Sequence, residues 1–300
     1  MSLAETNGPG PSARPRRSVL YVPGSNAKAL AKARALPCDG LILDLEDSVA
    51  PEAKDAAREA VVEAIAAGGW GPREVLVRVN ARGTPWFEAD VASLARAGAD
   101  GLVLPKVETT EDVAAVVERL AMRGAPAGLP LWLTIETPRG VLAAPDLAGA
   151  RRSIRGLVAG TSDLTKDLRA RHVPGRTPLL HALSAIVLAA RAHGLVALDG
   201  VHLALDDDPG FEAACRQGRD LGFDGKTLIH PRTIEAANRA FAPDAEEVGA
   251  ARRLLAAWRA ARREGKGVTV LDGRLVEELH AREAERLVAL AEAVAARNGT

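Results

Sequence analysis

Two carboxylates stand where short apolar runs give out. The run Leu131–Ile135 ends at Glu136, in LWLTIETPRG, and the run Gly156–Ala159 ends just ahead of Asp163, in GLVAGTSDLTKD. An apolar run, a connection of helix length and a second apolar run read as strand, helix, strand. A right-handed crossover makes such strands parallel neighbours. Neighbouring strands lie roughly 4.8 Å apart, so carboxylates just past their carboxyl ends can converge on one ion. Two oxygen ligands with no His or Cys nearby suit Mg2+. The same acids also fit a helix N-cap or a first-turn dipole partner, Asp163 ahead of LTKDLRA in particular.

The elements that must position this pair recur along the chain. Apolar runs at Ser18–Val22, Gly40–Leu45, Glu74–Val79, Gly101–Leu104, Leu131–Ile135, Gly156–Ala159, Leu195–Val201 and Thr227–His230 alternate with segments of helical composition and apolar spacing. Eight strand-helix units in about 225 residues match a (β/α)8 TIM barrel. A doubly wound open sheet is the alternative, but the chain lacks a Gly-rich nucleotide turn. A barrel builds its active site at the carboxyl ends of its strands. The residues there are polar: Pro23-Gly24-Ser25-Asn26, Asp44-Leu45-Glu46-Asp47, Arg78-Val79-Asn80, Lys106, Glu136, Asp163, Asp199 with His202, and His230. Lysine is scarce beside arginine, yet Lys106 falls at one of these ends, where it can also simply pair with an acid.

Composition bounds the partners. Formal net charge is zero and aromatic residues are 3% of the chain, leaving neither a basic footprint nor a stacking platform for nucleic acid. Cys38 and Cys215, far apart in sequence, fit a reducing compartment and buried thiols. No apolar run approaches the roughly 20 residues of a membrane span, so a cytoplasmic protein is expected. Residues 1–16, rich in Pro, Gly and Ser, read as a disordered leader, 17–242 as the catalytic barrel and 243–300 as an extension. In that extension a capped helix, DAEEVGAARRLLAAWRAARREG, precedes a hairpin turning at Asp272-Gly273 and an amphipathic helix from Glu278 to Arg297. A barrel needs no such tail, so a covering role as a lid or in oligomerisation is expected.

The blocks RSVLYVPGSNAKALAKA, DGLILDLEDSVAPEAKDAAR, VLVRVNARGTPW, DGLVLPKVE, IETPRG, AGTSDLTKDL, LDGVH and GFDGKTLIHPRTIEAANRAF stand in the order shown by a known family. Over Arg17 to about Leu287 the chain resembles the citrate lyase β-subunit and malyl-CoA lyase branch of the HpcH/HpaI aldolase superfamily. The resemblance implies a Mg2+-dependent carbon-carbon lyase that cleaves a 3-hydroxyacyl-CoA thioester, of malyl-CoA or citramalyl-CoA type, to acetyl-CoA and a 2-oxo acid. Glu136 and Asp163 match the metal-ligand positions, Arg78 the arginine facing the enolate, and Arg17 and Lys28 positions resembling coenzyme A phosphate contacts. Asp44 and Asp47 are expected to orient Arg78 or a metal-bound water, with Glu46 turned away.

Two departures from the family stand out. Many relatives carry Glu at the position of Ser162. Relatives also place a catalytic Asp after a tetrad that here reads Gly273-Arg274-Leu275-Val276, where this chain has Glu277. The resemblance implies a homo-oligomer, a trimer or hexamer, in which Glu277 serves the neighbouring subunit. A citrate lyase β-subunit within a complex, a malyl-CoA thioesterase, a short-chain 2-oxo-acid aldolase and a ligand-binding barrel without turnover are the competing readings.

Overall fold

The computed structural model describes residues 14–298. Within them the chain divides into two compact units, one spanning Arg16–Phe241 and one formed by Arg14 and Pro15 with the residues from Ala242 on. Residues 1–13 of the expected leader lie outside the described residues. Arg16, its last residue, pairs with Glu74 at 2.5 Å.

The first unit is a closed barrel of eight parallel strands in sequence order. Its elements are β1 Ser18–Pro23, α1 Ala27–Ala33, β2 Gly40–Asp44, α2 Lys54–Ala67, β3 Glu74–Arg78, α3 Phe87–Leu94, β4 Gly101–Leu104, α4 Thr110–Met122 and β5 Leu131–Ile135. There follow α5 Pro138–Leu142, α6 Ala144–Gly149, β6 Ile154–Ala159, α7 Thr161–Asp167, α8 Leu180–Ala192, β7 Val196–Asp199, α9 Asp208–Leu221, β8 Gly225–Leu228 and α10 Ile234–Ala240. The strands are short and nearly all buried, because one face meets the helices and the other fills the barrel. Inside, Val19, Ile42, Leu76, Val103, Trp132 and Leu198 pack together. Trp132 is accommodated because Gly156 faces it: a Cβ there would run into the indole ring. Outside, Leu41, Leu43, Leu133 and Leu157 join the helices in the larger core.

All eight expected strands form, and the last is displaced. The apolar pattern places it at Thr227–His230; it runs Gly225–Leu228 instead. The cause is Lys226, fully buried in the strand, with Nζ 2.8 Å from Asp199 Oδ2 and bonded to the Gly200 carbonyl. Arg176 closes the other side, its Nη1 2.7 and 2.8 Å from the two Asp199 oxygens. Burial, the largest influence, pushes the Asp199 carboxyl up, but the two cations outweigh it and hold it below the usual carboxylate range. A buried ion pair of this kind tolerates a lysine where hydrophobic periodicity expects an apolar residue.

The second unit contains α11 Ala245–Arg263, β9 Thr269–Leu271, β10 Arg274–Val276 and α12 Glu278–Asn298. Asp244 and Glu247 form a reciprocal capping box at the start of α11, both bonds at 2.8 Å. The strands β9 and β10 are antiparallel and join through Asp272 and Gly273, whose φ values of 50° and 75° give the twist a two-residue hairpin requires. Leu255 and Trp258 of α11 pack with Val276 and with Ala281 and Ala284 of α12. Val270 and Leu275 of the hairpin remain exposed.

Candidate active site at the carboxyl ends of the strands

Arg78 ends β3 and is held from several sides. Its Nε and Nη2 donate to the two oxygens of Asp44, each at 2.7 Å, the planar fork matching the carboxylate. Asp44 ends β2 and lies opposite Arg78 in the sheet register. It also accepts from the Glu46 amide at 2.9 Å and from the Ser48 amide and hydroxyl at 3.1 and 2.5 Å. Burial is the largest single influence on Asp44 and favours the neutral acid; the Arg78 charge and these bonds overcome it and keep the carboxyl below its ordinary value. The guanidinium also lies 4.7 Å from the centroid of the Tyr21 ring. Burial pushes the Tyr21 phenol well above its ordinary range, against the pull of Arg78.

Glu46 is not turned away, contrary to expectation. Its Oε2 lies 3.0 Å from Arg78 Nη1, and its Oε1 takes a short hydrogen bond from Lys106 Nζ. The Glu46 side chain is 7% exposed and that of Asp47 55%, so Glu46 faces the barrel mouth while Asp47, 3.4 Å from Arg78 Nη1, sits at its wet rim. The reason is local: Asp44 turns the chain tightly by accepting the Glu46 and Ser48 amides, which brings Glu46 back over the strand ends. Lys54 of α2 secures the turn by donating to the Leu45 and Glu46 carbonyls at 2.8 and 2.7 Å.

Glu136 follows β5 directly and is 3% exposed. The helix cap here is Thr137, whose hydroxyl accepts the Gly140 amide at 3.0 Å, so Glu136 is free of that duty. Its Oε1 accepts the Lys106 amide at 2.7 Å. Burial and, second, the Glu46 charge raise the Glu136 carboxyl to about 8, with Lys106 and Arg78 opposing. Asp163 is the third residue of α7, and its carboxylate goes to Lys166 at 3.0 Å and to Lys106 Nζ at 3.5 Å. Burial raises it, but the Lys166 bond and the Lys106 charge leave it below its ordinary value. Gly160 makes room for Glu136: a Cβ there would collide with Glu136 Cβ and stand 2.6 Å from Glu136 Oε2.

These groups fit a divalent cation. The donors are carboxylate oxygens, and Mg2+ is commonly held by one or two carboxylates with water and substrate completing its shell. Among the described residues no cluster of three or more His, Cys, Asp or Glu side chains offers a closed cage. Burial and the Glu46 charge raise the Glu136 carboxyl, and a cation bound beside it would favour its ionised form.

Other expected residues lie elsewhere. Arg17 precedes β1 at the amino end of the barrel, the face opposite the site. It is 4% exposed, and its Nε and Nη2 go to Asp39 at 2.8 and 2.9 Å, so the expected coenzyme A contact is not available to it. Lys28 is exposed in the first turn of α1, following the carboxyl end of β1. His230 heads a short 3-10 turn beyond β8, its Nδ1 accepting the Arg232 amide at 3.2 Å. His202 lies in the loop after β7, 3.7 Å from Asp207. Glu277 immediately precedes α12; its amide donates to His280 Nδ1 at 3.0 Å and its carbonyl accepts the His280 amide at 3.1 Å. Tyr21 escaped the sequence reading, although strand alternation from the inward Val19 places it on the barrel's inner face.

Residues 17–231 match the family model of HpcH/HpaI aldolase/citrate lyase. A (3S)-malyl-CoA thioesterase of Cereibacter sphaeroides is 45% identical over 284 residues, covering 95% of this chain and 97% of the relative. The citrate lyase subunit beta of Escherichia coli strain K12 is 38% identical over 88% of this chain and 89% of its own. Among solved structures, CitE from Mycobacterium tuberculosis in complex with magnesium, acetoacetate and coenzyme A superposes with a TM-score of 0.74 at 32% identity, covering 92% of this chain and 97% of that one. No helix among the described residues is long and apolar enough to cross a membrane.

Proposed function

This chain belongs to the HpcH/HpaI aldolase/citrate lyase family, and we propose that within it the chain is a Mg2+-dependent lyase. Its substrate would be a 3-hydroxyacyl-CoA thioester of malyl-CoA or citramalyl-CoA type, and its products acetyl-CoA and a 2-oxo acid. The observation that carries this reading is the fixed guanidinium of Arg78, clamped by Asp44 at the same mouth as Glu136 and Asp163.

Breaking the carbon-carbon bond leaves an electron pair on the thioester α-carbon, delocalised onto the carbonyl oxygen as an enolate. The substrate hydroxyl gives its proton to the Glu277 carboxylate, which later returns it to the enolate carbon, and the hydroxyl carbon becomes the carbonyl of the 2-oxo acid. Arg78 faces the developing negative oxygen, and because Asp44 already holds it, little reorganisation accompanies the charge. Asp44 and Asp47 thus act through Arg78. Glu136 and Asp163 would hold Mg2+, which supplies Lewis-acid polarisation and orientation of the oxo-acid half. The enolate carbon then needs a proton. We assign its delivery to Glu277, acting in trans within a homo-oligomer, a trimer or hexamer. The exposed Val270 and Leu275 of the adjoining hairpin support a tail that closes over a neighbouring copy. Lys28 is assigned to a phosphate of coenzyme A.

Hydrolysis of the same thioester is the second reading, favoured by the 45% identical relative named as a thioesterase. Incubation with Mg2+ and malyl-CoA, citramalyl-CoA, β-methylmalyl-CoA or citryl-CoA, following 2-oxo acid and free thiol separately, tests both. Oxo acid without thiol supports the lyase; thiol with intact hydroxy acid supports the thioesterase. Neither product from any substrate refutes both.

A further inference from the structure

The proposed chemistry gives Lys106 no task, yet this residue holds a conformation that side-chain-bearing residues avoid. Its φ is 53°, in the left-handed region. In that conformation one residue faces two ways. The amide donates to Glu136 Oε1 at 2.7 Å, while the ammonium bonds to Glu46 and lies 3.4 Å from Asp47 Oδ1 and 3.5 Å from Asp163 Oδ2. The carboxylates of the cluster are Asp44, Glu46, Asp47, Glu136, Asp163 and, beside Lys166, Asp167; the cations paired with them are Arg78, Lys106 and Lys166. With every acid ionised the cluster carries three more negative than positive charges, so it attracts a cation, and Lys106 offsets part of that attraction.

We infer that Lys106 is a positioning residue for the metal: its amide fixes Glu136, and its ammonium is a tethered cation that competes with the bound ion for the carboxylates. It thereby limits the negative charge that the ion meets. This rests on the reading of Glu136 and Asp163 as Mg2+ ligands. The left-handed backbone accompanies this double duty, amide and side chain going to different acids of one cluster. Removing the ammonium while keeping the amide therefore tightens cation binding. A trivalent ion gains more than a divalent one, because the added attraction scales with the charge of the ion.

Lys106→Gly makes that cut, since glycine accepts the left-handed conformation without strain and keeps the amide. Lys106→Met, which retains the aliphatic length, controls for a loosened loop, and Lys106→Arg restores the charge. Mg2+ and La3+ are titrated by calorimetry into the metal-free full-length chain at fixed ionic strength, with Glu136→Gln alongside. The expected result is Mg2+ binding about tenfold tighter in Lys106→Gly, the scale of removing a unit charge a few ångströms from a divalent ion under water-like screening. La3+ should gain more, Lys106→Met should shift the same way, and Lys106→Arg should return to wild type. Unchanged or weaker Mg2+ binding in both Lys106→Gly and Lys106→Met, while Glu136→Gln abolishes binding, overturns the inference alone. Wild-type affinity in Glu136→Gln overturns the metal reading, and the inference falls with it.

Discussion

Replacing Glu136 by Gln exchanges a buried acid for a neutral amide of nearly the same shape, whose oxygen can still accept the Lys106 amide. In the metal-free protein, burial first and the Glu46 charge second raise this carboxyl from 4.5 to about 8. The folded chain then keeps a proton that the unfolded chain has released. Below about pH 4.5 both states are protonated and Glu136 costs nothing. As pH rises the unfolded state ionises first, so stability falls across the window and the cost is complete above about pH 8. Raising the carboxyl from 4.5 to about 8, at about 1.36 kcal/mol for each tenfold change in proton affinity, sets a ceiling of roughly 5 kcal/mol. Glu136→Gln should therefore match wild type near pH 4.5 and be the more stable protein at pH 9, by up to that amount. Urea unfolding in chelator across this range measures the difference. Saturating Mg2+ should reverse the order, because the ion stabilises only the chain that binds it. A difference independent of pH would refute the burial argument; no reversal with Mg2+ would refute the ligand assignment.

Arg78→Lys should lose most turnover while largely keeping Mg2+ affinity, since a point charge replaces a planar fork poorly; near wild-type kcat would reduce Arg78 to an ion-pair residue. Gly160→Ala places a Cβ against Glu136 and should weaken Mg2+ binding in calorimetry; unaltered affinity would mean that Glu136 is not a ligand or is free to move aside. Lys226→Met leaves Asp199 buried with only Arg176 opposite it and should cost about 3–5 kcal/mol in denaturant unfolding, whereas a loss under about 1 kcal/mol would show the pair to be replaceable. Glu277→Gln co-expressed with Glu136→Ala should regain part of the turnover that either homo-oligomer lacks; full activity in Glu277→Gln alone would remove Glu277 from the chemistry.

Strand existence was legible because most barrel strands are buried on both faces and read as apolar runs; Leu131–Ile135 and Gly101–Leu104 match to the residue. The last strand slipped because Lys226 is buried by ion pairing, which leaves no trace in periodicity. At the mouth, Asp44 opposite Arg78 follows from two adjacent strands ending in opposite charges. Glu46 was misjudged because strand alternation stops at Asp44 and a side-chain-stabilised turn takes over. The coenzyme A contact expected of Arg17 rests on the resemblance alone; as the residue just ahead of β1, Arg17 lies at the amino end of the barrel, where Asp39 claims it.

The register between the first and last strands also bears on how the chain is made. Ser18 pairs with Lys226 and Leu20 with Leu228, the Lys226 amide donates to the Arg17 carbonyl at 3.1 Å, and a Cβ on Gly225 would crowd the Arg16 carbonyl. As a nascent chain leaves the ribosome, the earliest strand finds one neighbour at once, in β2, and waits for the other until nearly the whole unit has been translated. Through that interval its second edge is an open hydrogen-bonding template, a hazard for intermolecular pairing. Ribosome-stalled chains ending before Gly225 should therefore expose that edge to chaperones, and chains extending well past Leu228 should not.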